Sequence, residues 1–318
     1  MIRSLTLLAL MAAWVLSAVD ARAAEMLRVG KAVPEAFSFT PLDIGIRKGI
    51  FKQNGLNITE IASAGDAKLQ QAMASNSIDI GIGSGPGLAF IVKGSPVKGV
   101  AEMAGPPLLL AIVVRPDGPK TVADLKGKKI SVSTAGSLTY WLVSNTSRRQ
   151  GWGPNGITIL PMGAMVGQLA ALRRHEIDGI IMDVSTAYDL VKKGDGRILV
   201  RFGDLTEFVT HVIFATNTLI ATRPDTIRAF LKGWFETIAF MRANKAETVA
   251  IDTQVLQKDA DVMSRTYDDV MPMFTSDGHF NRKGLEVLAK SFVDLHTLPT
   301  EPDMSKLYTE AFLPPASK

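Results

Sequence analysis

Cysteine is absent from all 318 residues, which removes disulfides, thiol nucleophiles and thiolate metal sites together. It also removes the lipid-bearing cysteine that could follow an export signal. Histidine is scarce: His175, His211, His279 and His296 are scattered, with no pair at metal-ligand spacing. Each reads as a surface or hydrogen-bonded structural histidine, and no metal is expected. Neither sign of charge is in strong excess, because 35 basic residues face 31 acidic ones. That balance argues against nucleic acid as a partner. What is present, 47% hydrophobic and 21% charged residues, describes a soluble globular chain of about two domains.

Residues 1–23 carry the features of a secretory signal peptide. Arg3 precedes an apolar run from Leu5 to Val19, and Ala21-Arg22-Ala23 fits a small-x-small cleavage pattern. A membrane anchor fits less well, since the run is short for a span of about 20 apolar residues and ends in Asp20 and Arg22. No later segment is long and apolar enough to cross a bilayer. Cleavage would release a protein of net charge +3 into the periplasm, without a lipid anchor.

The following residues alternate between strand and helix patterns. A strand from Met26 to Val33 leads into a loop holding Glu35, Phe37 and Phe39, then a helix near Pro41 to Phe51 and a strand from Leu56 to Ile61. This βαβ order predicts parallel sheets with right-handed crossovers, whose ligands sit outside the carboxyl ends of the strands. Glu35, Phe37 and Phe39 would then lie on the binding edge, with packing under the loop as the competing role for the two phenylalanines. Gly65 and Asp66 follow in the next turn, and the strand Ile78 to Ile82 closes on Gly83-Ser84-Gly85 before another helix.

A second break of the same kind lies in Ile130 to Leu142, ISVSTAGSLTYWL. A strand turns at Thr134, Gly136 and Ser137 into a helix beginning at Leu138, Thr139 and Tyr140. Free amides and the positive dipole end at such a start can seat a carboxylate, sulfonate or phosphate. The alternative is an ordinary turn with Ser137 as N-cap. No Gly-Lys-Ser/Thr follows either break, and Leu88 occupies the place of the last glycine of a dinucleotide fingerprint, so no cofactor is expected.

The second half repeats the scheme. A strand from Ile157 to Leu160 reaches Gly163 and Met165, and a strand from Ile177 to Met182 ends at Asp183. Two apolar runs, Leu108 to Val114 and His211 to Ala221, read as crossings between two lobes. Pro224 to Arg242 reads as a long amphipathic helix with Trp234 on its core stripe.

The segment Asp124-Leu125-Lys126-Gly127-Lys128-Lys129-Ile130 with its Gly-Ser turn resembles the periplasmic substrate-binding proteins of ABC importers, specifically the nitrate, sulfonate, taurine and thiamine-precursor group. Gly45 to Leu56 is similar to the opening helix and turn of that group, and Ser77-Ile78-Asp79-Ile80-Gly81 to its third strand. The resemblance implies an α/β fold of the type II, two-lobe class with two crossing strands as a hinge. Lobe 1 would comprise residues 24–110 and 215–318, and lobe 2 residues 111–214.

By the same resemblance the protein is a monomeric solute-binding component, not an enzyme, that delivers its ligand to a membrane permease. The ligand expected is a small organic anion, a sulfonate, carboxylate or related compound. Glu35 and Asp183 suggest in addition an amine or aminopyrimidine end, with solvated loop acids as the simpler account. The alternatives are a pyrimidine-precursor synthase on the same scaffold, whose cysteine-rich segment is missing here, and a ligand-loaded sensor subunit.

Overall fold

The computed structural model describes residues 24–203 and 207–314. The expected signal peptide lies outside the described residues. Two five-stranded sheets organise the chain. The first contains β1 (Glu25–Lys31), β2 (Leu56–Ala62), β3 (Ile80–Ser84), β4 (Val97–Ala104) and β10 (His211–Thr216), in the order β2-β1-β3-β10-β4. The second contains β5 (Leu110–Val114), β6 (Lys129–Val132), β7 (Thr158–Pro161), β8 (Gly179–Asp183) and β9 (Arg197–Arg201), in the order β7-β6-β8-β5-β9.

Both sheets follow one plan, which makes the chain a two-lobe α/β protein of the type II binding-protein class. In the first sheet β1 runs parallel to β2 and β3, while β10 runs antiparallel to β3 and β4. In the second, β6 runs parallel to β7 and β8, while β5 runs antiparallel to β8 and β9. The antiparallel strand is in each case the first strand after the chain changes lobe. The sheets are therefore mixed, whereas βαβ alternation alone predicted parallel ones.

The two apolar runs expected to cross between lobes do not cross. β5 and β10 are buried along their whole length and each lies inside a single sheet. Burial on both faces is what makes an inner strand continuously apolar. The chain instead changes sheet between β4 and β5, through residues 105–109, and again between β9 and β10. The return to lobe 1 accordingly falls before His211, ahead of the expected boundary at 215. The strand also stops at Thr216, whose hydroxyl accepts the Leu219 amide and starts a short helix, Asn217–Thr222.

Helices cover the sheets. In lobe 1 these are α1 (Thr40–Arg47), α2 (Asp66–Ala74) and α3 (Leu88–Val92); in lobe 2, α4 (Leu138–Arg149), α5 (Met165–Arg173) and α6 (Val184–Lys192). The long helix α7 (Pro224–Ala243) buries Phe230, Leu231, Trp234, Ile238 and Met241, its amphipathic stripe, and Phe230 stacks on Phe51 at 5.3 Å. Two later helices, α8 (Ala260–Val270) and α9 (Arg282–Asp294), lean on lobe 2 as well. Tyr188 donates to Asp269 at 2.5 Å, and Trp141 Nε1 donates to Ser291 at 2.7 Å. Trp141 is buried and also packs on Phe208 at 4.5 Å, so it braces the lobes. Among the described residues no helix is long and apolar enough to cross a membrane.

Candidate functional site

The carboxyl ends of both sets of strands meet in a cleft containing about 780 Å³ of space, part of it open at the mouth. Lobe 1 contributes Ala32, Val33, Glu35, Ala36 and Phe39 after β1, Ser63 to Asp66 after β2, and Ser84 after β3. Lobe 2 contributes Ser133 and Ser137 to Thr139 after β6, Gly163 to Met165 and Gln168 after β7, and Ile181 to Asp183 with Thr186 around the end of β8. Leu109, Leu110 and His211, beside the two crossings, complete the lining. The walls are mainly apolar.

Eleven of the expected residues thus line the cleft: Glu35, Phe39, Gly65, Asp66, Ser84, Ser137, Leu138, Thr139, Gly163, Met165 and Asp183. Six do not. Phe37 is buried against Phe274, with ring centroids 6.3 Å apart, and takes the packing role. Gly83 presents its carbonyl to His211, Gly85 lies against the Val209 carbonyl, Gly136 faces the Phe90 ring, and Tyr140 packs against the core. Thr134 instead joins the lobes, its hydroxyl accepting the Ala67 amide at 3.3 Å.

Three of the helix starts facing the cleft are capped by side chains of the chain, whereas α5, which begins at Met165, has no side-chain cap. Ser84 accepts the Gly87 amide, Ser137 accepts the Tyr140 amide, and Asp183 accepts the Ser185 amide at 2.8 Å. Ser137 is therefore an N-cap as well as a lining residue. Asp66 Oδ1 accepts the Ser84 amide at 2.7 Å, so this first anion seat holds a carboxylate of the protein itself. Burial pushes the Asp66 carboxyl up, opposed by the amides of Ser84 and, from lobe 2, Leu138. Asp183 is its counterpart: burial raises it, while its Oδ2 accepts the Phe37 amide of lobe 1 at 3.1 Å. Each lobe thus extends a buried carboxylate toward amides of the other.

Among the described residues no Lys or Arg lines the cleft. The buried Lys31 on β1 is held by Asp43 at 2.8 Å and Glu60 at 2.5 Å, beneath the sheet edge. His211, which the sequence reads as structural, is one of the lining residues not expected from the sequence. Its Nδ1 lies 3.1 Å from the Gly83 carbonyl, and burial drives its pKa down to about 3. The ring is neutral and Nδ1 carries the proton, because a carbonyl only accepts. Nε2 keeps its lone pair without a partner. Gln168 is fixed by Ser131 and the Gly163 carbonyl. Its signal in the sequence was weak, one amide on a helix otherwise apolar up to its closing Arg173.

With this geometry in place, the NMT1/THI5-like family model matches residues 36–248, a span holding every strand except β1. The chain belongs to the NMT1/THI5-like family. It is 31% identical over 91 residues to a Haemophilus influenzae protein provisionally named for thiamine biosynthesis, of whose length it spans 29%. In structure it is similar to the alkanesulfonate-binding protein SsuA of Xanthomonas axonopodis, bound to MOPS, with a TM-score of 0.79 and 20% identity over 89% of this chain and 98% of that one. The periplasmic aliphatic sulphonate-binding protein SsuA of Escherichia coli matches with a TM-score of 0.71 and 19% identity over 90% and 92% of the two chains. At these identities the structural likeness establishes the fold of this NMT1/THI5-like protein.

Proposed function

We propose that this protein is the periplasmic solute-binding component of an ABC importer, a monomer that captures a small organic molecule between its lobes and passes it to a permease. The cleft at the strand ends supports the binding role, and the named activities of the similar SsuA structures support the transport role. For the ligand, one observation carries the reading: Glu35, Asp66 and Asp183 line a mainly apolar cleft that, among the described residues, no Lys or Arg enters. Such a lining favours a compact, partly aromatic molecule with an N–H-bearing or protonated nitrogen over the plain anion that the glycine breaks first suggested. Carboxylates favour cations and hydrogen-bond donors, whereas a second anion in low dielectric meets strong repulsion. The likeness to sulfonate binders supports the scaffold and the role, while the lining favours a different ligand.

Native mass spectrometry of protein purified from its own periplasm identifies the retained solute. Isothermal titration with benzylamine, a hydroxymethyl aminopyrimidine, benzoate and taurine then sorts the class. Binding of the first two is expected. Binding of benzoate alone would sink the donor-ligand reading, and turnover of any bound compound would sink the transport reading.

A further inference from the structure

Asp66 stands where an incoming anion would have to go. It is the first residue of α2 and lines the cleft from lobe 1. Its Oδ1 accepts the Ser84 amide at 2.7 Å, and the Leu138 amide at the start of α4 in lobe 2 also favours its charge. These amides belong to the two Gly-Ser breaks, one in each lobe. The Ser84 amide is held by the Asp66 carboxylate, and the Leu138 amide favours the charge of the same group, so an anion entering here meets a carboxylate already in place.

His211 gives an independent mark of what this end of the cleft accepts. It is the register partner of Ser84 on the neighbouring strand, and its ring packs on Phe39 at 4.9 Å. With Nδ1 donating to Gly83, the unpartnered and buried Nε2 is an acceptor. An acceptor beside a carboxylate offers an oxyanion no hydrogen bond at all. We propose that Asp66 is the specificity-determining residue of the cleft, a built-in carboxylate that fills the paired amide seat, bars oxyanions and leaves this end to a donor nitrogen of the ligand.

The proposal deepens the solute-binding reading and rests on it, but its test uses a probe unrelated to the natural ligand. Asp66→Ala removes the carboxylate, frees the Ser84 amide and takes away the charge that the Leu138 amide favours. Methanesulfonate titrated into wild type is expected to give no measurable heat. Into Asp66→Ala it should bind at least about tenfold more tightly than into wild type, which corresponds to about 1.4 kcal/mol. Asp66→Asn, which keeps the size and loses the charge, should fall between. Tight methanesulfonate binding by wild type overturns the proposal even where both variants fail to fold. So does a folded Asp66→Ala protein that takes the probe no better than wild type, while benzylamine binding by wild type would leave the solute-binding reading standing. Absence of any solute binding by wild type, together with gained methanesulfonate binding in the variant, separates the two the other way.

Discussion

The break after β3 and the break after β6 share a pattern, a strand running into Gly and Ser and then a helix, yet their glycines answer to different constraints. In lobe 1, Gly85 follows Ser84 with its backbone pressed on the second crossing: a Cβ placed there would sit 1.8 Å from the Val209 carbonyl oxygen. In lobe 2, Gly136 has a φ of 75°, and a Cβ there would meet the edge of the Phe90 ring at 3.2 Å. The first glycine is required by an immovable neighbour, the second by the turn it makes. The serines, by contrast, are alike, each capping the helix it introduces. A shared motif therefore fixes the local turn but not the role of the residues in it.

Gly85→Ala tests the first half of that comparison and should have the largest effect. The obstructing atom is backbone, held by the Thr210 carbonyl's bond to the Gly85 amide at 2.9 Å, so it cannot swing away like a side chain. A loss on the order of 3 kcal/mol or more is expected from overpacking that only a backbone shift can relieve. Chemical denaturation measures it; a loss under about 1 kcal/mol would show that the backbone at Val209 can shift and would dissolve the contrast.

Part of this was legible without coordinates. The strand and helix order follows from apolar periodicity and from turn residues such as Gly65, Gly83 and Gly136, which is why the two-lobe architecture and eleven lining residues emerge from the chain. Pairings across the cleft do not. Phe37 and Asp183 are 146 positions apart, and nothing local to either announces that the amide of one ends on the carboxylate of the other. The apolar runs at β5 and β10 misled for a related reason: continuous hydrophobicity reports burial on both faces, not which sheet the strand joins. His211 was hidden because its partner Ser84 is beside it only through strand register.

The second prediction sharpens the comparison through this histidine, which belongs to the lobe 1 break. Its folded pKa of about 3 lies below the ordinary 6.5. Between those values the unfolded chain binds the extra proton, so stability is lost as pH falls through the window. The slope approaches 1.4 kcal/mol per pH unit, or roughly 2 kcal/mol by pH 5. Asp66 and Asp183 act in the opposite sense, because carboxyls raised by burial favour the fold at lower pH. The informative measurement is therefore a difference: stability between pH 7 and 5 for wild type against His211→Asn. The variant should lose less on acidification; equal slopes would mean that the histidine is not held neutral against Gly83.

Gly136→Ala carries the smallest expected effect and tests the lobe 2 half. A non-glycine residue at this φ costs about 1 kcal/mol, and the Phe90 ring edge, at 3.2 Å from the added Cβ, is a partly buried side chain able to give by a few tenths of an ångström. The loss should stay near 1 kcal/mol in thermal denaturation, well below that of Gly85→Ala. Phe90 belongs to α3 of lobe 1 while Gly136 belongs to lobe 2, so the two glycines can be ordered by a second reading. Replacing Phe90 by Ala alongside Gly136→Ala should remove the steric part and leave the backbone part of the cost. If the double variant recovers full stability, sterics rather than φ governs the second break, and the two glycines are constrained in the same way after all.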